Sequence, residues 1–338
     1  MKKSLLTLAV LAASGAAMAQ SSVTLYGIVD ASFGQTKTGV GAASVTKTVL
    51  NSGEYSTSRW GLKGSEDLGG GLKANFQLEA FLAADTGTGA ATGGFDRLSV
   101  LGLSGAFGTV NFGRQYNPLN AMRGAANSNA DSNMAITGPV AKSLGGAVPD
   151  YTLRIANSIG YTSQDFNGLT ANVLVGLGED KTTTSGASSI TALTAVYKKG
   201  PLVVGFGYDN DKFAGAAVPS YTLTHTLVNA AYDFGPVRIN GGYERANKDT
   251  TNATDTDVYA GLTMPVGSAA KVYLGYAKTK GDANGVKTDG NGFAITATYD
   301  LSKRTNLWAG WNKVQAQNAA GTTTQDDSRT MVGVRHFF

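Results

Sequence analysis

The sequence predicts an all-β protein: a closed antiparallel barrel of sixteen strands that crosses a membrane. Three observations point there. First, segment after segment alternates apolar with polar side chains. The cleanest has Leu72, Ala74, Phe76, Leu78 and Ala80 on one face and Lys73, Asn75, Gln77 and Glu79 on the other, the period-two signature of a strand with two unlike faces. Second, the connections alternate between short turns and long polar loops, the organisation of a bacterial transmembrane barrel. Third, the chain opens with an export signal but contains no run of eighteen apolar residues after it, so strands rather than helices must make the crossing.

The export signal occupies residues 1–19. Lys2 and Lys3 form a positive start, residues 5–13 a short apolar core, and Ala17-Met18-Ala19 a small-residue cleavage motif. The mature chain would then be residues 20–338, one domain without an internal boundary. Losing the two lysines takes the formal charge from +4 to +2, too small and too scattered to argue for nucleic acid. There is no cysteine; an exported protein without disulfides needs another source of stability, and a barrel whose every strand is paired on both edges supplies it. Forty-five glycines, 27 tyrosines and phenylalanines and only seven prolines suit many strands with aromatic girdles.

Taken in order, the first strand covers residues 23–33, with Val23, Leu25, Val29 and Phe33 on one face. A polar loop is expected over 34–57. A strand begins at Ser58, with Trp60 and Leu62 opposed to Arg59 and Lys63, and a glycine turn at 69–71 leads into the strand from Leu72. Over residues 95–103 the pattern is less clean, because Arg97 shares parity with Leu101 and Leu103; a bulge or a contact between protomers is expected there. Clean alternation returns at Leu169–Leu177, at Val237–Tyr243, at Val258–Met264, at Val272–Tyr276 and at Phe293–Tyr299. Seven tight turns and eight long loops, centred near Thr46, Gly87, Asp131, Thr183, Ala214, Thr250, Asn284 and Gly321, join sixteen strands. The last segment puts Thr330, Val332, Val334, His336 and Phe338 on one face and stops at the aromatic residue. Trp60 and Trp311 read as interfacial girdle. Trp308, of opposite parity to Leu307 and Ala309, is expected to point into the lumen or toward the strand's end.

One stretch breaks the rhythm. Residues 117–150 show no alternation, hold two prolines and carry four charges, Arg123, Asp131, Lys142 and Asp150. Irregular stretches of this length inside a compact domain are usually functional or disordered. It is expected to fold into the barrel and set the width and charge of a passage.

The other constellations are weak. His225 and His336 are far apart, on lipid-facing or ambiguous parity, and with no cysteine imply no metal site. No nucleophile with an oriented base stands out, so catalysis is not expected. Gly69-Gly-Gly71 precedes no helix and is a turn rather than a phosphate cradle. No motif implies a cofactor.

The segments 22–30, 58–74, 95–97 and 108–116, and the ending Val334-Arg-His-Phe-Phe338, resemble the general porins of Gram-negative bacteria of the Neisseria, Bordetella and Burkholderia type. The resemblance covers the mature chain and implies a sixteen-stranded outer-membrane barrel, a homotrimer, and a third external loop folded into each pore. Residues 117–150 are the third long loop, although the proline-glutamate-phenylalanine-glycine-glycine signature of enteric porins is missing from it.

Alternation directs Arg59, Lys63, Lys73 and Glu79 inward, and Arg97, Arg114 and Arg154 lie on strands flanking or neighbouring the loop. The resemblance sets basic wall residues opposite the inserted loop; Arg59 and Arg97 match best, Arg114 and Arg154 less well. Asp131 and Asp150 are the loop's acids. Together these nine residues form the expected constriction, with a transverse field that slightly favours small anions. The expected function is passive diffusion of ions and small hydrophilic solutes through a bacterial outer membrane, with the lipid and lipopolysaccharide of that membrane as surroundings. The alternatives are a solute-selective channel of the same fold and a plugged structural or adhesive barrel.

Overall fold

The computed structural model describes residues 22–338, apart from 91–92, 128, 130–131, 137–143 and 215–219. The expected export signal, residues 1–19, and Asp131 lie outside the described residues. The strands are β1 (Ser22–Thr38), β2 (Val45–Ser52), β3 (Arg59–Gly69), β4 (Leu72–Phe81), β5 (Leu98–Gly105), β6 (Gly108–Tyr116), β7 (Arg154–Thr162), β8 (Leu169–Leu177), β9 (Ser189–Lys199), β10 (Leu202–Phe213), β11 (Tyr221–Asp233), β12 (Arg238–Lys248), β13 (Ala253–Val266), β14 (Ala270–Ala283), β15 (Val286–Asp300), β16 (Thr305–Asn318) and β17 (Thr323–Phe337). All pair antiparallel with their neighbours in one sheet that closes on itself through β1 and β17, where Ile28 faces Phe337. Gly27 and Phe338 exchange backbone hydrogen bonds, so the aromatic terminus is the last stitch of the seam.

The seventeen segments make a sixteen-stranded wall. β2 and β3 are two parts of one wall strand: β2 pairs with the upper half of β1 (Ala31 with Ser52), β3 with its lower half (Ile28 with Arg59). The expected loop over 34–57 is therefore corrected. β1 runs on to Thr38 and β2 returns at Val45, leaving a short connection. Both faces there carry Thr, Lys and Gln, so no apolar stripe marks the strand. Residues 53–58 buckle between β2 and β3, held by the buried Asp30, which accepts from the Tyr55 amide at 2.9 Å and the Ser56 amide at 2.5 Å.

The long-loop expectation also needs correction in the second half of the chain. β14 and β15 are joined by Asn284-Gly285 alone, with φ of 53° and 83°, the positive pair that a two-residue hairpin turn requires. Strands β13 to β17 run 14–15 residues, against 8–9 for β5 to β8. The wall is taller there, and the hydrophilic segments expected as loops are its paired upper rim. β5 shows no register shift. Arg97 precedes the strand in a bend, so strand parity does not govern it. The irregularity falls instead on β6, where the pairing slips between Gly113 and Gln115.

The outward face is apolar and exposed, as Val204, Phe206, Val228, Tyr243, Val258, Phe293 and Val332 show. That inversion of the usual burial rule is what a lipid-facing wall demands. Trp60 and Trp311 lie on this exposed face, whereas Trp308 is buried inside, donating to Asp30 at 3.1 Å and stacking on Tyr55 at 5.5 Å.

The stretch 117–150 is not structureless. It opens with helix α1 (Pro118–Ala126). Asn117 caps it by accepting from the Leu119 amide, and proline fills the first turn, where its missing N–H costs nothing. At the other end Arg238 donates to the carbonyls of Ala125 and Ala126, at 2.8 and 3.1 Å, satisfying acceptors a helix end otherwise leaves open. α1 rests on the inner face of β9 to β11. Met122 and Leu119 press onto Gly205 and Gly207, where a Cβ would stand 2.6 Å from Met122 Cγ and 3.1 Å from Leu119 Cγ. Glycine on an inward-facing strand position is what lets a helix approach so closely.

Candidate functional site

Two charged parts of the inner wall differ in kind; a further group, Arg329 paired with Glu54 at 3.2 Å and Arg335 over Tyr55 at 4.4 Å, lies by the buckled segment 53–58. The first is basic; Lys63 is exposed and Arg59 and Arg154 are half-buried, while Arg97 and Glu79 are buried against each other. Glu79 of β4 is its one acid. Arg97 Nε lies 2.7 Å from Glu79 Oε1, and Arg59 Nε 3.5 Å from Oε2. Tyr26 donates to the same carboxylate at 3.0 Å and accepts from Gln77 at 2.7 Å, and Lys63 Nζ stands 5.2 Å over its ring. Arg97 also donates to the Tyr116 hydroxyl at 2.6 Å; Arg154 donates to that oxygen at 2.9 Å and stacks on the ring at 4.7 Å. Arg59, Lys63, Arg97 and Arg154 thus form one contiguous group around a single carboxylate. The tyrosines hold the guanidinium planes without cancelling charge. Beside this group opens a cavity of about 710 Å³ lined by Lys63, Asn75, Gln77, Asn111, Gln115 and Tyr116 among others.

Two expected members stand apart. Lys73 is exposed, six residues along β4 from Glu79 and about 20 Å away at strand rise, beside the β3–β4 turn. Arg114 pairs with Ser99, in register with the outward Leu101 and Phe112, and donates to the Asp96 carbonyl at 2.7 Å. Ordinary alternation with Phe112 is enough to set it on the other face from the group.

The second part is acidic and covered. Asp209 and Asp211 of β10, Glu244 of β12, and Asp255 and Asp257 of β13 are buried. The described parts of 117–153 fasten onto them. Asn117 donates to Asp209 at 2.7 Å. Thr152 donates to Asp211 through its amide at 2.9 Å and its hydroxyl at 2.7 Å. The Ala147 and Val148 amides donate to the two oxygens of Asp255, at 2.7 and 2.8 Å. Arg123 of α1 pairs with Glu244 and, at 3.4 Å, with Asp150, while Tyr151 packs over its guanidinium at 4.6 Å. Burial disfavours the charged guanidinium, but Glu244 first, then Tyr151 and Asp150, raise its pKa well above the ordinary value. Burial likewise pushes the Tyr151 phenol up.

Asp150, expected to face the basic wall, is instead engaged by Arg123 on its own side. His225 is not lipid-facing. It is buried on the inner face with Nδ1 3.1 Å from Glu244. Asp150, His225 and Glu244 bring ligand-type atoms within 4.8 Å of one another, but the Arg123 guanidinium already binds both carboxylates.

Apolar side chains complete the covering. Met122, Ile136, Leu144, Leu227, Tyr259 and Val314 form a core inside the barrel. Leu227 and Leu223 face inward on β11, where apolar parity alone would have sent them to lipid. Farther along, the Asn133 amide donates to the Glu54 carbonyl at 2.9 Å and Asn312 to the Asn133 carbonyl at 2.8 Å, which ties the stretch to the buckled segment at 53–58. The anchoring acids had one sequence signal: Asp209 with Asp211 and Asp255 with Asp257 recur at i, i+2 on inward faces.

A closed sixteen-stranded barrel with an apolar exterior and a charged interior defines the class, a channel-forming protein of the bacterial outer membrane. The chain belongs to the Gram-negative porin family, whose model matches residues 6–332. It is 33% identical to outer membrane porin protein 32 of Delftia acidovorans and 30% identical to an outer membrane porin protein of Bordetella pertussis, in both cases over all of each chain. Among solved structures it is similar to an anion-selective porin from Comamonas acidovorans, with a TM-score of 0.81 and 28% identity, covering 94% of this chain and all of that one. The protein is an outer-membrane porin of the general diffusion type, from a family of channels rather than enzymes.

Proposed function

We propose that Arg59, Lys63 and Arg154, held in place around the buried Arg97–Glu79 pair, form the selective part of the pore and make it weakly anion-favouring, with the stretch 117–153 narrowing the lumen. The observation that carries this is the imbalance between the two charged parts. Lys63, Arg59 and Arg154 reach solvent around the buried Arg97–Glu79 pair, while the acids of the other part are buried and bonded to α1 and the stretch that follows it. Buried, paired charge projects little field into the water; a charged side chain at a constriction does. The similar porin from Comamonas acidovorans is anion-selective, which supports the same sign. Glu79, Asp131 and Asp150 temper the field, and Lys73 and Arg114 lie outside the narrowest part.

On this reading the channel passes small hydrophilic solutes and ions down their gradients, assembles as the homotrimer the family resemblance implies, and loses residues 1–19 on export. N-terminal sequencing of protein extracted from outer membranes checks the last point, with Gln20 expected first. The function itself is tested by planar-bilayer recording of the refolded protein across a salt gradient. Conductance steps in threes and a weakly anion-favouring reversal potential are expected. A cation-favouring potential overturns the assignment of charge, and a folded barrel without conductance overturns the pore.

A further inference from the structure

The cavity beside the basic group carries a chemistry that ion passage does not use. Cross-strand register builds its wall in rows. Lys63 is opposite Gln77, and Gly102 lies between Asn75 and Asn111. The Gln77 row stands two residues from Glu79 toward the β3–β4 turn, about 7 Å along the strand, and the Asn75 row about 7 Å farther. Gly102 opens the second row, since a Cβ there would collide with the Asn111 side-chain oxygen. The volume, about 710 Å³, is that of a small-molecule site.

The amides of this cavity commit their donors and leave their acceptors free. The Tyr26 hydroxyl gives its proton to Glu79, so Gln77 turns its NH2 to that oxygen, at 2.7 Å, and its carbonyl elsewhere. Gln115 is fixed in the same way. Its Nε2 donates to the Asn111 backbone carbonyl at 3.4 Å and to Ser158 at 3.1 Å, and the Ser158 hydroxyl itself donates to the Gly113 carbonyl at 2.7 Å. Asn75 donates to Ser104 at 2.8 Å. Among the described residues nothing donates to the side-chain oxygens of Asn75, Gln77, Asn111 or Gln115. The lining holds no acid, but it includes Lys63. Acceptors without negative charge, next to an ammonium, suit hydroxyl groups better than a cation. Leu98 and Val100 add an apolar strip on which C–H groups can pack.

We propose that this cavity is a weak binding site for a six-carbon polyhydroxy acid, a sugar acid of the aldonate type, on its way through the pore; this rests on the reading of Arg59, Lys63 and Arg154 as the pore's selective group. The carboxylate meets Lys63 and the neighbouring guanidinium groups. The hydroxyls donate to the free oxygens of Gln77, Gln115, Asn75 and Asn111, and the C–H groups lie along Leu98 and Val100. The lengths agree. Five single bonds carry the chain about 6 Å from its carboxyl carbon to its far end, and the step from the Lys63–Gln77 row to the Asn75–Asn111 row is about 7 Å. A bare carboxylate uses only the basic half of the site, and a neutral polyol only the amide half.

Four solutes of one chain length test it: gluconate, hexanoate, sorbitol and 6-aminohexanoate. Each is added to the refolded protein in a planar bilayer, and binding is read as a saturable reduction of the chloride current. Gluconate is expected to bind about tenfold more tightly than hexanoate or sorbitol. Asn75→Ala/Asn111→Ala is expected to weaken gluconate about tenfold and to leave hexanoate as in the parent. The gentler Asn111→Ser, expected to weaken it about threefold, carries the same test should the double variant misfold by circular dichroism. Equal block by gluconate and hexanoate overturns the proposal, as does parent-like gluconate block in these variants. Stronger block by 6-aminohexanoate also overturns it, since it assigns the oxygens to an ammonium. The reversal potential keeps the two readings apart. An anion-favouring potential without gluconate block overturns this inference alone, whereas a cation-favouring one overturns the pore assignment on which it rests.

Discussion

The two charged parts of the inner wall use similar residues for opposite ends. From β3 to β7 the charges are mostly basic, bridged by tyrosine hydroxyls and next to a cavity of about 710 Å³. From β10 to β13 they are mostly acidic, buried, and bonded to a segment lying over them. A charge in water at a narrow place acts on passing ions. A charge removed from water acts on the fold, because leaving it unpaired is costly. Burial, more than the sign or number of charges, decides which task a lumen residue performs.

The comparison is broken most severely at Glu244. Glu244→Leu leaves the buried Arg123 with Asp150 as its one carboxylate among the described residues, a loss expected to cost about 3 kcal/mol. Detachment of α1 should appear as larger and noisier single-channel conductance and as protease sensitivity within 117–153. Gly205→Val drives a side chain into Met122 and Asn229 and is expected to cost about 2 kcal/mol by overpacking, read from the denaturant midpoint of the refolded protein. Asp211→Asn keeps the shape but weakens two hydrogen bonds to Thr152; about 1 kcal/mol is expected, with ion selectivity unchanged. Smallest in stability is Lys73→Gln, an exposed position beside a turn. It is expected to alter neither the midpoint nor the reversal potential, whereas Arg154→Gln moves the potential at little cost in stability.

Most of the wall was legible because lipid imposes a simple rule. Residues 72–80 and 293–299 alternate cleanly since one face meets hydrocarbon and the other water, and parity alone puts Trp308 inside. The rule failed wherever a strand met something else. β2 and the upper parts of β13 to β17 carry polar side chains on both faces, so residues such as 45–52 and 278–291 read as loops. Leu227 and Leu223 are apolar and inward because Met122 of α1 and Val148, rather than water, cover them. Even so, two local signals were present: the Asn117-Pro118 helix start and the Asn284-Gly285 hairpin turn. The site was half legible. Arg59, Lys63, Glu79, Arg97 and Arg154 converge, but the tyrosine hydroxyls that join them, and the capture of Asp150 by Arg123, depend on distances between strands remote in sequence.

The central claim is that selectivity resides in the solvated basic group and not in the buried acids. It is tested most directly by reversal potentials across one salt gradient for Arg154→Gln and Asp211→Asn, measured side by side with the parent. The account predicts that Arg154→Gln moves the potential toward zero while Asp211→Asn leaves it in place. A parent-like potential in Arg154→Gln together with a shifted one in Asp211→Asn would contradict it and assign the field to the acids beneath α1.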